Sequence, residues 1–190
     1  MKKIKCFIFD QDGTFYPENS KLTGVLREKT KKWLMNKLLL SRKEVENLYK
    51  KLQKEYPNAL DGFGSLGLTI DDYHKNVFDI VDPSKYLSQD MKLISILKQL
   101  KGKKFVVTFA SKKYSKSLQK TLGINNLIKQ TYFLIDFLPK TSKLFVYEYI
   151  RKNNKLKKNE ICIIGNNLEV DILPATKKGY RCILIRQKRN

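Results

Sequence analysis

The stretch Lys3-Ile4-Lys5-Cys6-Phe7-Ile8-Phe9-Asp10-Gln11-Asp12-Gly13-Thr14 decides how the rest of the chain is read. A short, mostly apolar run stops abruptly at two acids, a glycine and a hydroxyl. Lys3 to Phe9 reads as a buried strand ending in an acidic turn. In an open parallel sheet, ligands bind beyond the carboxyl ends of the strands, so an Asp-x-Asp placed there faces a crevice. Two solvated turn carboxylates are the simpler alternative. The combination of strand, Asp-x-Asp, Gly and Thr favours a reactive site. Asp10 is suited to attack phosphorus, splitting one difficult displacement into two easier ones. Asp12 is suited to protonate the leaving oxygen and then activate water. Gly13 lets the backbone turn tightly, and Thr14 can hydrogen-bond to steady the loop.

Similar apolar runs recur at Lys104 to Phe109, Thr131 to Ile135, Ile161 to Gly165 and Arg181 to Arg186. Helical patterns separate most of them, at Ser115 to Leu122, Ser142 to Asn153 and Asp171 to Lys178. Gly123 and Gly179 stand where helix C-caps belong. Strands alternating with helices predict an α/β fold: a Rossmann-like parallel sheet sandwiched by helices.

Between the first two strands the pattern changes. From about Leu22 to Leu100 apolar residues recur at helical spacing, among them Leu22, Val25, Leu26, Trp33, Leu34, Val45, Leu48 and Leu52. Breaks fall at Pro57-Asn58 and at Gly62 to Gly67, and Thr69 or Asp71 is available to cap a new helix. This predicts a small helical cap inserted after the first strand: residues 15–100, with the core formed by 1–14 and 101–190. Tyr49, Tyr56, Phe63 and Tyr73 fit cap packing better than stacking on a bound base, and Trp33 reads as core. His74, the single histidine, reads as structural or surface.

The chain has 190 residues, 42% hydrophobic and 30% charged, which suits one substantial folded core with a smaller appendage. No apolar run approaches the roughly 20 residues that span a bilayer, and the start of the chain does not read as a signal peptide. Cys6, Cys162 and Cys182 lie in or beside apolar β-like runs, which fits buried thiols of a cytoplasmic protein rather than disulfides or a metal site. The formal charge is +21. Its lysines are spread from Lys2 to Lys188 in singles and short pairs, as in a solvated basic shell. A preference for nucleic acid or another polyanion is the alternative. Either way, a positive field draws phosphorylated substrates inward. The basic tail Arg186 to Arg189 reads as solvated.

Asp10-x-Asp12-Gly13-Thr14 resembles the first motif of the haloacid-dehalogenase-like superfamily. The resemblance implies three further motifs. Thr108, ending Phe105-Val106-Val107-Thr108, takes the place of the hydroxyl that binds a phosphoryl oxygen. Lys140 in Leu138-Pro139-Lys140-Thr141-Ser142 takes the place of the phosphate-binding lysine, with Lys143 as its rival. Gly165-Asn166-Asn167-Leu168-Glu169-Val170-Asp171 resembles the fourth motif, with Asn166 where an acid is usual. A magnesium ion is thereby implied on Asp10, Asp12, Asn166 and Asp171. An amide supplies an oxygen but no charge, so weaker magnesium binding or reduced turnover is expected.

Several stretches look like the pyrimidine 5′-nucleotidase-type branch: Asp10 to Pro17, Tyr49 to Tyr56, Leu66 to His74 and Thr108 to Ser115. Phe109 stands where that branch has Asn. The branch implies hydrolysis of a small phosphomonoester, including nucleoside 5′-monophosphates, through an aspartyl-phosphate. The departures at Asn166 and Phe109 leave open a catalytically weak homologue that binds polyanions.

Overall fold

A computed structural model describes residues 3–56, 58–140 and 142–186. The break expected at Pro57, Thr141 and the tail beyond Arg186 lie outside the described residues. Five strands form one parallel sheet: β1 Cys6–Phe9, β2 Lys103–Thr108, β3 Gln130–Phe133, β4 Ile161–Gly165 and β5 Arg181–Leu184. Their spatial order is β3-β2-β1-β4-β5. β1 therefore lies at the centre, in register with β2 through Ile8 and Phe105 and with β4 through Ile8 and Ile163. The central position explains the composition of β1. All four of its residues are buried, and burying side chains such as Phe7, Ile8 and Phe9 stabilises by about 1.5–3 kcal/mol each.

Eight α-helices are described: α1 Lys21–Leu38, α2 Arg42–Glu55, α3 Ala59–Gly64, α4 Ile70–Tyr73, α5 Met91–Gln99, α6 Lys112–Thr121, α7 Lys143–Asn153 and α8 Leu173–Lys177. The expected strands and helices all appear, with ends shifted by a few residues. Gly123 and Gly179 follow α6 and α8 in the left-handed conformation expected of C-caps. β2, α6 and β3 run outward from β1. The chain then returns through α7 to β4 on the other side of β1. That reversal makes the carboxyl ends of β1 and β4 the topological switch point, where open sheets bind ligands.

The insertion is helical, as its spacing predicts. Ser41 and Glu44 form a reciprocal capping box on α2. Thr69, rather than Asp71, caps α4 by accepting from the Asp72 N–H. Trp33, Phe63 and Tyr73 make an aromatic cluster with ring centroids 4.8–5.1 Å apart. Trp33 Nε1 donates to Asp72 Oδ2 at 2.7 Å, tying α1 to α4. The later part of the insertion turns back to the sheet layer: Pro83–Lys85 packs on α6, and α5 packs on Asn125–Leu127. Cys6, Cys162 and Cys182 are free thiols, and burial pushes Cys6 up to about 12. No described helix is long and apolar enough to cross a membrane.

Candidate active site

The turn after β1 sets the geometry. Gly13 has φ +85, and a Cβ there would collide with the Asn166 amide. The site therefore needs a glycine both for its backbone angle and for its closeness to the loop after β4. Thr14 Oγ1 donates to Asp10 Oδ2 at 2.8 Å, and the Thr14 and Phe15 N–H groups both donate to the Gln11 carbonyl. Asp10 and Asp12 thus sit at the carboxyl edge of the central strand on the floor of a cavity of about 250 Å³. Thr108, Phe109, Lys143, Asn166 and Asp171 share that floor, while Asn58, Leu60, Tyr73 and Phe78 of the insertion line the cavity as well.

Lys143, the first residue of α7, is the cation of the site. Its Nζ lies 2.5 Å from Asp10 Oδ1 and 2.7 Å from Asp171 Oδ1, with all three side chains less than one-tenth exposed. Lys140, the expected phosphate-binding lysine, lies elsewhere. It is exposed, and its ammonium sits 4.2 Å from the Phe145 ring centroid. The reason is positional: Lys140 precedes the N-cap Ser142, whereas Lys143 begins α7 and is buried in it. The lysine at the carboxylates is Lys143.

Burial raises the Asp10 carboxyl to about 6. The Lys143 charge opposes that rise, and the Asp171 and Asp12 charges add to it. Burial lowers the Lys143 ammonium, but its two carboxylate partners outweigh that effect and hold it above its ordinary value. Burial also raises Asp12, against hydrogen bonds from Tyr16 and Gln11. Those partners are specific. The Tyr16 hydroxyl donates to Asp12 Oδ1 at 2.7 Å and meets the Tyr114 hydroxyl at 3.1 Å. On the other oxygen, Gln11 Nε2 stands at 3.3 Å and Thr108 Oγ1 at 3.4 Å.

Asp171 is fully buried, on one wide helical turn, Leu168–Ile172, that leads into α8. Its Oδ1 accepts from Lys143 and its Oδ2 from the Asn167 N–H at 3.0 Å. A Cβ at Gly165 would strike this carboxylate, so the end of β4 must be glycine. Both Asp171 oxygens thus help to fix Lys143 and the loop, at the cavity that Asp10, Asp12 and Asn166 also line. Asp12 likewise turns its side chain toward Tyr16 and offers its main-chain carbonyl on the Asn166 side.

Among the described residues, no three His, Cys, Asp or Glu side chains form a metal-holding group by themselves. The oxygens that do converge are Asp10 Oδ2, the Asp12 carbonyl and the Asn166 amide, two of them outside that residue set. Three carboxyl groups and one ammonium also leave negative charge unbalanced when all are ionised. Oxygen donors with excess negative charge suit a magnesium ion.

Three participants were not singled out from the sequence. Tyr16, Tyr114 and Gln11 surround Asp12, and Gln11 is tied in turn to Ser115 at 3.1 Å. His74 joins insertion to core: its Nε2 donates to the Phe109 carbonyl at 2.8 Å. Burial lowers the His74 pKa, keeping the ring neutral for that bond. The Phe109 ring lies 5.1 Å from the Lys143 ammonium. Gln11, inside the motif, and Tyr16, adjoining it, carried a local signal. Tyr114 and His74 meet the site across long stretches of chain.

A family model for haloacid dehalogenase-like hydrolases matches residues 7–185. No curated protein matches the chain by sequence. Among solved structures, a HAD phosphatase from Thermococcus onnurineus is 19% identical with a TM-score of 0.58, over 98% of this chain and 88% of that one. YfnB of Bacillus subtilis, assigned to the HAD-hydrolases and crystallised with magnesium, is 13% identical with a TM-score of 0.61, over 97% and 89%. The L-2-haloacid dehalogenase of Xanthobacter autotrophicus is 15% identical with a TM-score of 0.54, over 96% and 77%. At these identities the likeness concerns the fold, and it extends to phosphatases and dehalogenases alike.

Proposed function

The chain belongs to the haloacid dehalogenase-like hydrolase family, and from that premise we propose that it is a phosphohydrolase acting on a small phosphomonoester. The observation that carries this reading is Asp12. A second buried carboxyl, raised above its ordinary value, lines the same cavity as the nucleophile candidate. A halide leaves as an anion and needs no acid. An alkoxide or aryloxide leaving from phosphorus does, and a carboxyl kept protonatable by burial can supply the proton.

In the proposed cycle an Asp10 carboxylate oxygen attacks phosphorus, and the bond from phosphorus to the leaving oxygen breaks. Asp12 gives that oxygen its proton. Water then attacks the aspartyl-phosphate, losing a proton to Asp12, and the bond between phosphorus and Asp10 breaks to release inorganic phosphate. Thr14 and Lys143 hold the two Asp10 oxygens in fixed directions. Lys143 offsets the charge gathering on nucleophile and phosphoryl group, and Asp171 keeps the ammonium in place. Thr108 lines the same cavity and in this reading donates to a phosphoryl oxygen. Magnesium, bound through Asp10, the Asp12 carbonyl and Asn166, would supply further neutralisation of the phosphoryl oxygens.

The test is phosphate release from an aryl phosphate and a panel including nucleoside 5′-monophosphates, run beside chloride release from a 2-chloro acid. Phosphate release that disappears in Asp10→Asn is expected. Chloride release without phosphate release would replace this reading with dehalogenation. Silence in both, with salt-sensitive binding of a polyanion, would replace it with the binding role.

A further inference from the structure

Asn166 stands where the family resemblance calls for an acid, and its surroundings give the amide a definite task. Three oxygens surround one end of it: Asp10 Oδ2, the Asp12 carbonyl and Thr14 Oγ1. With its nitrogen directed there, Asn166 lies 3.1, 3.2 and 3.3 Å from them respectively and can donate to the acceptors. With its oxygen there instead, the amide accepts from Thr14 Oγ1 at 3.3 Å and its nitrogen faces Glu18 Oε2 at 3.5 Å, but the oxygen also meets two oxygens that cannot donate, a repulsion that a cation relieves. The fit is close, because Gly13 leaves no room for a Cβ beside the amide. An aspartate here would place a second anionic oxygen against Asp10 Oδ2 and the carbonyl, with Lys143 occupied on the other oxygen of Asp10 and on Asp171.

We infer that the Asn166 amide is a two-position occupant of this site. Nitrogen inward, it takes the place of a cation and ties the turn after β1 to the loop after β4. Oxygen inward, it becomes a ligand for a divalent cation. The active-site floor is therefore assembled without metal, and magnesium binds only by turning the amide over and displacing hydrogen bonds to a charged carboxylate. The inference rests on the magnesium site named above and not on turnover.

Three consequences separate it from a purely structural asparagine. Going from chelator to magnesium raises the melting temperature of the wild-type protein less than that of Asn166→Asp. Asn166→Asp melts lower than wild type in chelator, where acid faces acid, and recovers when magnesium chloride is added. Magnesium, titrated by calorimetry, binds Asn166→Asp about tenfold or more tightly than wild type, since a hydrogen bond to a charged group no longer has to be broken. Asn166→Ala, which has neither donor nor added charge, melts below wild type in chelator and gains nothing from magnesium.

The Asn166 side-chain amide signal in a nitrogen–proton spectrum, identified by its loss in Asn166→Asp, shifts on adding magnesium. A wild-type protein whose melting temperature gains as much from magnesium as that of Asn166→Asp would overturn the inference. So would an Asn166→Asp variant as stable in chelator as wild type, or one with unchanged magnesium affinity. None of these readouts depends on phosphate release, so a protein inactive on every phosphoester still tests the amide.

Discussion

Replacing Lys143 by methionine keeps the volume of the side chain and removes its charge, isolating what the ammonium does for the fold. In the wild type that ammonium contacts Asp10 at 2.5 Å and Asp171 at 2.7 Å, with all three groups buried. Breaking a buried pair by removing one partner costs about 3–5 kcal/mol, because it strands the remaining charge. Protonation sets a ceiling. A stranded carboxyl of ordinary pKa 3.8 can be neutralised for about 5 kcal/mol at a pH of about 7.5, and for about 2 kcal/mol at about 5.5.

The sign follows from the direction of the shift. Asp10 already sits raised, at about 6, with the ammonium pulling it down. Without Lys143 it rises further, so the native state of the variant binds more protons than the unfolded chain. The loss relative to wild type is smallest below about 6, where wild-type Asp10 already holds its proton, and grows as pH climbs past that value. Urea unfolding at the two pH values measures it. A loss of about 3–5 kcal/mol near pH 7.5, roughly 6–20 °C in Tm for a chain of this size, should shrink by about half near pH 5.5. A loss under about 1 kcal/mol at both pH values would refute the claim that Lys143 balances these carboxylates.

Other expectations follow from single contacts. Asp12→Asn should slow phosphate release from alkyl phosphates by about 100- to 10,000-fold, and from an activated aryl phosphate by much less. Equal losses on both would remove Asp12 as the acid. Lys140→Ala should leave turnover and stability unchanged, because this exposed lysine lays its ammonium against the Phe145 ring; a large kcat loss would restore it to the site. His74→Leu strands the Phe109 carbonyl and should cost about 1–3 kcal/mol in urea unfolding, with KM rising more than kcat falls. Ser41→Ala removes one half of the α2 capping box and should cost about 1 kcal/mol, with activity unchanged.

Much of this protein is legible in its sequence because local patterns report burial directly. Cys6 to Phe9 reads as a central strand because a strand covered on both faces must be apolar throughout, and all four residues are buried. Helical spacing from Leu22 onward marks the insertion. Asp10, Asp12, Gly13 and Thr14 are contiguous, so their shared turn is visible without a fold. The sequence also names Thr108, Asn166 and Asp171 as companions, and the structure places all three around the same cavity.

What only the tertiary structure decides are the partnerships between segments far apart in the chain. The sequence favours Lys140, with Lys143 as its rival in a lysine-rich string. The start of α7, which buries Lys143 and leaves Lys140 on the surface, chooses between them. That the two Asp171 oxygens meet Lys143 and the Asn167 N–H is likewise decided only by the fold. His74 reads as incidental because its partner is a main-chain carbonyl 35 residues away, which carries no side-chain signature. Tyr114, 98 residues from Tyr16, is as hidden. A hydrogen bond needs atoms about 3 Å apart in a particular direction, and sequence periodicity fixes only which face a side chain takes.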